Sequence, residues 1–304
     1  MKITRVGVWF EDPAVTRRWV DELSPRLEGL SVGDARNMDP AQVEVLVVAN
    51  PPGRDLERFS GLQFVQSTWA GVDRLVVDPP DGVPIARMVA PGLTRLMTEF
   101  VLTAVLFLHR GLPAYRRSQE RREWNPLPVT PSTSRTVGIL GYGHLGSASA
   151  RMLSRIGFRV TAWARTARTA EVPVLAGEKG LERVLASSEI LVDLLPLTDE
   201  TRGILDRRAF DRMPPDASLV NAARGDHVVV PDLVEALDGH LGQAVLDVFP
   251  EEPLPADSPL WGHPKVTVLP HIAAPSDPGE LADQVADNIR RFIEGSDPRF
   301  LVER

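Results

Sequence analysis

The chain has no cysteine among its 304 residues, which excludes disulfides, thiolate catalysis and zinc–cysteine centres. It also lacks a surplus of positive charge: the formal net charge is -7 at pH 7, the wrong sign for a nucleic-acid surface. Long hydrophobic runs are missing too. The strongest, Val101 to Leu108, falls far short of a bilayer. The opening MKITRVGVWFED has too brief an apolar stretch before Glu11 and Asp12 to read as a signal peptide. Internal repeats and low-complexity segments are absent as well. These absences lead to the expectation of a soluble, cytoplasmic chain with no nucleic-acid or membrane partner and no metal site.

The remaining sequence alternates strand-like and helix-like segments, and its length suits two domains better than one. Strands are expected at Val6 to Phe10, Val43 to Ala49, Phe64 to Ser67 and Ile85 to Val89, with a helix from Pro13 to Leu27. Val43 to Ala49 is apolar almost throughout, as a parallel strand buried on both faces requires. One long helix is expected from Leu93 to Glu120, its first half buried and its second half a solvated, arginine-rich face. The proline-rich stretch Trp124 to Pro131 can be neither helix nor central strand and reads as an arm. Six further strands, Val137 to Leu140, Arg159 to Trp163, Ile190 to Leu195, Ser218 to Asn221, Gln243 to Val248 and Val266 to Leu269, with intervening helices, predict a doubly wound sheet. A last helix, Pro278 to Glu294, closes the chain.

The most informative stretch is Val137-Gly138-Ile139-Leu140-Gly141-Tyr142-Gly143-His144-Leu145-Gly146. A strand ends in Gly-x-Gly-x-x-Gly and a helix pattern follows (Ala148, Met152, Leu153, Ile156), the geometry that sets a dinucleotide pyrophosphate on a helix N-terminus. Gly141 permits the turn, Gly143 lets the backbone approach the phosphates, and Gly146 lets helix and strand pack closely. His144, inside this loop, is expected to touch the cofactor backbone. Folds that prefer NAD place a carboxylate at the end of the next strand. Here that place, eighteen residues after Gly146, is Ala164, followed by Arg165 and Arg168. A guanidinium suits a 2′-phosphate, so NADP(H) is favoured and NAD(H) is the alternative. An incidentally basic loop is the plainer reading of the same residues.

Three later segments follow in order: Asn221-Ala222-Ala223-Arg224-Gly225, Leu246-Asp247-Val248-Phe249-Pro250-Glu251-Glu252-Pro253-Leu254-Pro255, and Pro270-His271-Ile272-Ala273-Ala274. With GYGHLG, they resemble the D-isomer-specific 2-hydroxyacid dehydrogenases over nearly the whole chain. Trp124 to Pro128, Gly225 to Asp238 and Glu252 to His271 look most like the bacterial glyoxylate/hydroxypyruvate reductase A-type branch. The resemblance implies two doubly wound parallel-sheet α/β lobes with a cleft between them. One is a discontinuous, flavodoxin-like substrate lobe, residues 1–98 with 275–304; the other is a Rossmann cofactor lobe, residues 99–274. A homodimer is the family habit.

Reducing a 2-keto acid to the D-2-hydroxy acid needs a hydride, a proton for the developing alkoxide and a cation for the carboxylate and polarised carbonyl. His271, just after a strand, can donate the proton. Glu252 would bond its other ring nitrogen and favour the charged form, and Arg224 would grip the keto acid. These three match the family's catalytic residues. The resemblance also implies cofactor contacts from Leu145, Pro196 and Ala222, and an Asp247 beside the nicotinamide. Amides of Ala70, Gly71 and Val72, in the loop Thr68 to Asp73, would receive the substrate carboxylate. Taken singly, each residue has a plainer reading as surface or structural; their order downstream of a nucleotide loop favours function. His109, His227, His240 and His263 have no such support and are expected to be structural.

Two departures bear on specificity. Trp69 stands where small residues are common, and Gly92 to Glu99 differs from the Asn-containing form of many members. Trp124 is expected to be a buried anchor for the arm, with a reach into a neighbouring subunit as the alternative. The rival activities are a phosphoglycerate-type or other D-2-hydroxyacid dehydrogenase, and formate oxidation, whose branch has an amide where Glu252 stands. The rival from another class is a catalytically silent dinucleotide sensor.

Overall fold

A computed structural model describes residues 3–166 and 169–302. The chain divides into two compact units, Met1–Leu93 with Ser276–Arg304, and Thr94–Pro275. The sequence expectation sets the junctions at 98/99 and 274/275.

The first unit contains β1 (Arg5–Trp9), α1 (Pro13–Leu23), β2 (Ser31–Asp34), β3 (Val45–Val48), β4 (Phe64–Ser67) and β5 (Ile85–Ala86). The strands form one parallel sheet in the order β2-β1-β3-β4-β5, which is the flavodoxin-like order. β3 and β4 are buried along their whole length, so every position can be apolar or internally bonded. One face packs Leu46, Val48, Leu56, Leu75 and Ile85 together. The expected helix from Pro13 to Leu27 stops at Leu23, because Ser24 Oγ bonds the Val20 carbonyl and Pro25 lacks the amide that would continue it. β2 had no sequence signal, since an edge strand reading Ser-Val-Gly-Asp carries one large apolar side chain.

Between the two sheets the chain runs through α2 (Pro91–His109) and α3 (Leu112–Glu120). The single expected helix is two, because Gly111 adopts a left-handed φ of 64° and Pro113 cannot donate within the next turn. Among the described residues α2 alone is long and apolar enough to span a membrane. It also carries Arg95 and Glu99, and its Met97, Val101 and Val105 join the core beneath the second sheet. Trp124 is 98% exposed, so the arm is not anchored by burying it.

The second unit continues with β6 (Thr136–Leu140), α4 (His144–Ile156), β7 (Arg159–Trp163), β8 (Val174–Leu175), α5 (Gly177–Ser187), β9 (Ile190–Asp193), α6 (Arg207–Arg212), β10 (Ser218–Asn221), α7 (Val230–Asp238), β11 (Ala244–Leu246) and β12 (Val266–Val268). The seven strands are parallel, in the order β12-β11-β10-β9-β6-β7-β8. That is the dinucleotide-fold order with one added strand, and its switch point lies between β6 and β9. β8 is the strand absent from the expected six; two residues on an edge leave little pattern to read. The helix expected after the glycine loop is present as α4. Gly146, Ser149, Ala150 and Leu153 are buried, whereas Met152 and Ile156 are 37% and 36% exposed. Small residues carry the packing because α4 lies almost on β6.

The chain ends in the first unit with α8 (Pro278–Ile293), capped by Asp277. Its Leu281, Ala282, Val285 and Ile289 form the buried stripe, and Asn288 bonds Gln66 on β4 at 2.7 Å.

Candidate active site

The glycine loop follows from backbone necessity. Gly141 has a φ of 95°, and a Cβ there would lie 2.6 Å from the carbonyl oxygen of Leu194 at the end of β9. A Cβ on Gly146 would fall 1.8 Å from the carbonyl oxygen of Gly141, so only glycine lets α4 start this close to β6. Gly143 differs: it is exposed, and a Cβ there would meet nothing within 4 Å. The space outside Gly143 is open to a ligand, and the first turn of α4 has no side-chain cap. The amides of that turn face a positive helix end suited to phosphate. His144 is exposed and Leu145 half-buried on the same turn.

At the end of β7 the buried side chain is Ala164, 8% exposed, followed by the exposed Arg165. Arg168 lies outside the described residues. An apolar position with a guanidinium beside it fits a 2′-phosphorylated ribose and offers no carboxylate for a free hydroxyl. The open glycine cradle and this donor set fit a phosphorylated dinucleotide.

β9 and β10 end side by side, Asp193 in register with Asn221. Asp193 and His227 are both wholly buried, with His227 Nδ1 2.6 Å from Asp193 Oδ2. Ala222 and Ala223 follow β10, each 7% exposed, and Asn221 ties the turn by donating from Nδ2 to the Arg224 carbonyl at 2.9 Å. Arg224 Nη1 donates to the Ala223 carbonyl at 2.7 Å. Gly225 next presses on another segment: a Cβ there would lie 1.9 Å from the Phe249 carbonyl carbon. Pro196, after β9, accepts a bond from Thr201 Oγ1 at 2.7 Å.

The loop beyond β11 carries the acid. Glu252 Oε1 accepts from the Phe249 amide at 2.9 Å, and Oε2 lies 2.7 Å from His271 Nδ1. Both side chains are 34% exposed, half-sheltered yet within reach of a ligand. Burial pushes the Glu252 carboxyl up, but the His271 hydrogen bond, the Phe249 amide and the charges of His271 and Arg224 outweigh it, so it sits below its ordinary value. Of the three expected residues, Glu252 and His271 are in direct contact, and the charge of Arg224 contributes to the lowering at Glu252.

His271 has a left-handed φ of 54°, and Asp247 imposes it. The carboxylate of Asp247, fully buried, accepts from the Ile272 amide at 2.7 Å and the Ala273 amide at 2.9 Å. Its carbonyl accepts from the His271 amide at 2.9 Å. The expected aspartate therefore holds the turn that presents the histidine. Burial pushes the Asp247 carboxyl up further than these amides and His271 pull it down.

In the first unit, Ala70, Gly71 and Val72 are half-buried in the loop after β4. Ser67 Oγ accepts from the Trp69 amide at 3.0 Å and donates to the Ala49 carbonyl at 2.6 Å. Arg87 Nη1 reaches the Ala70 carbonyl at 3.4 Å.

Of the four histidines expected to be structural, His240 bonds the Phe210 carbonyl at 3.0 Å, His263 accepts from the Lys265 amide at 3.1 Å and His109 stacks edge-on against Phe158. His227, the fourth, pairs with Asp193, both side chains wholly buried.

Residues 102–273 match the D-isomer specific 2-hydroxyacid dehydrogenase, NAD binding domain. The chain is 37% identical over 294 residues to glyoxylate/hydroxypyruvate reductase A of Serratia proteamaculans, covering 94% of each sequence. It is 35% identical over 296 residues to the protein of that name from Yersinia enterocolitica, covering 94% of this chain and 95% of the relative. A D-isomer specific 2-hydroxyacid dehydrogenase from Xanthobacter autotrophicus, in complex with NADPH and MES, superposes with a TM-score of 0.90 at 37% identity, over 100% of this chain and 98% of that one. An NADPH-dependent glyoxylate/hydroxypyruvate reductase from Sinorhizobium meliloti, in complex with NADP and sulfate, gives 0.89 at 34% identity, over 99% and 98%.

Proposed function

Because the chain belongs to the D-isomer specific 2-hydroxyacid dehydrogenase family, we propose that it reduces a small 2-keto acid, glyoxylate or hydroxypyruvate in kind, to the D-2-hydroxy acid with NADPH. One observation carries the reading: His271 and Glu252 pair at 2.7 Å, with Arg224 acting on the same carboxylate.

When bound, the reduced nicotinamide supplies the hydride. The first turn of α4 and Gly143 would hold the pyrophosphate, Arg165 the 2′-phosphate, and Leu145, Pro196 and Ala222 would border the dinucleotide. Arg224 binds the keto acid and draws charge toward the carbonyl oxygen. His271 gives that oxygen its proton from Nε2, since Nδ1 faces Glu252. Glu252, held below its ordinary value, stays a carboxylate and holds the ring through Nδ1. Amides of Ala70, Gly71 and Val72 are the proposed carboxylate donors.

The test is NADPH consumption with glyoxylate, hydroxypyruvate and longer 2-keto acids, repeated with NADH. His271→Ala should lower turnover by about a hundredfold or more with NADPH affinity retained; unchanged turnover refutes the assigned proton donor. A homodimer is the proposed assembly, read by light scattering.

A further inference from the structure

We propose that Asp193 and His227 form a positioning pair that sets the Arg224 turn against the end of β9, so that the keto acid is gripped in register with the dinucleotide. The inference rests on the functional reading above. One buried carboxylate joins two strand-end turns: Asp193 Oδ1 accepts from the Leu195 amide at 3.1 Å, and Oδ2 takes His227 Nδ1 at 2.6 Å. Leu195 leads into Pro196, the proposed cofactor side. His227 leads back to Arg224, since its amide donates to the Arg224 carbonyl at 3.3 Å. The same carbonyl is fixed from the other side by Asn221 Nδ2. The two turns are also sewn together by the Ala222 amide on the Asp193 carbonyl at 3.3 Å.

Stability does not account for the pair. Both side chains are fully buried, and His227 Nε2 has no hydrogen-bond partner. Buried ionisable pairs often give no net stabilisation over apolar residues of the same volume, and an orphaned ring nitrogen adds a cost that a leucine would not carry. What the pair supplies is a fixed spacing between the turn that carries Arg224 and the turn that borders the dinucleotide. Placing reacting groups to within an ångström is what such an arrangement delivers.

The experiment compares Asp193→Asn with the double variant D193N/H227L. Asp193→Asn keeps an acceptor for the Leu195 amide and a polar partner for His227. Three quantities are read: the KM for glyoxylate at saturating NADPH, the Kd for NADPH by fluorescence, and the Kd of the NADPH complex for oxamate, an unreactive keto-acid isostere. D193N/H227L should bind NADPH within about twofold of wild type while both keto-acid constants rise about tenfold or more. Asp193→Asn, which keeps a polar partner for His227, should raise the two keto-acid constants by less than the double variant does. A folded double variant with unchanged KM and oxamate affinity overturns the proposal. If D193N/H227L does not fold, the all-apolar D193L/H227L replaces it, with the same KM outcome required. A wild type inactive on every 2-keto acid refutes the functional reading instead; an active wild type with indifferent variants refutes only this inference.

Discussion

Replacing Gly225 by alanine tests how the site is held together. A Cβ at 225 would stand 1.9 Å from the Phe249 carbonyl carbon, 2.2 Å from Pro250 N and 2.3 Å from the Phe249 oxygen. Ordinary contacts begin near 3.4 Å, so in a close-packed interior the two segments must part by about 1.5 Å. All three atoms are backbone, and no rotamer change relieves the clash. One segment follows Arg224; the other carries the Phe249 amide that holds Glu252. Separating them pulls the arginine away from the Glu252–His271 pair. A misplacement of about 1 Å costs roughly a hundredfold in rate, and overpacking of this kind costs about 1–3 kcal/mol. For a chain of this size that lowers Tm by roughly 2–5 °C. The assay is kcat/KM for the keto acid at saturating NADPH, beside a fluorescence titration of NADPH and a thermal melt. NADPH affinity should stay within about threefold, because the glycine loop on β6 is not displaced. Gly262→Ala is the control: its Cβ meets nothing within 4 Å, and it should be silent. A folded Gly225→Ala protein with kcat/KM within about fivefold of wild type would refute the reasoning.

Other outcomes follow from the same geometry. Gly146→Ala, with its Cβ 1.8 Å from the Gly141 oxygen, should lift α4 off β6 and weaken NADPH binding by about tenfold or more in a titration. With Arg165 on the 2′-phosphate as proposed, Arg165→Ala would remove a charge-assisted bond of about 1.5–3 kcal/mol, so the KM for NADPH should rise roughly 10- to 100-fold with that for NADH little changed. A loss equal for both cofactors would take Arg165 off the 2′-phosphate. Glu252 sits below its ordinary value in the folded protein, so its stabilisation is complete above the ordinary carboxylate range and is lost as pH falls through the depressed value. The Tm gap between wild type and Glu252→Gln should therefore narrow on acidification; a gap that widens contradicts the direction of the shift.

How much of this was legible depends on how far apart the cooperating atoms lie in sequence. The glycine loop could be read because its pattern is contained in one strand–turn–helix unit, even though only Gly146 answers a clash inside that unit: Gly141 presses on Leu194 beyond β9 and Gly143 faces open space. Arg224 and His271 lie three residues past β10 and β12, but Glu252 lies six past β11, and it was the resemblance of their segments to a known family that singled the three out together. α4 could be read as a helix, but not its packing face, which includes Gly146, Ser149 and Ala150, whose smallness matters more than their hydrophobicity. Gly111 and Pro113 did announce the break between α2 and α3, but the apolar run around them spoke louder than the two residues that end it.

Asp247 and His227 were beyond local reading because their work is done across strands. The carboxylate of Asp247 reaches amides twenty-five and twenty-six residues on, which requires β11 and β12 to lie adjacent before the turn can close on it. Asp193 and His227 are thirty-four residues apart. A signal for them existed once the strand order was supposed: with β9 beside β10, Asp193 and Asn221 become register mates, and His227 follows one short turn later. A histidine that looks idle in one dimension then comes to lie beside the turn of Arg224, against the carboxylate of Asp193. Such pairs become visible when candidate residues are sorted by the sheet position they imply rather than by their sequence neighbours.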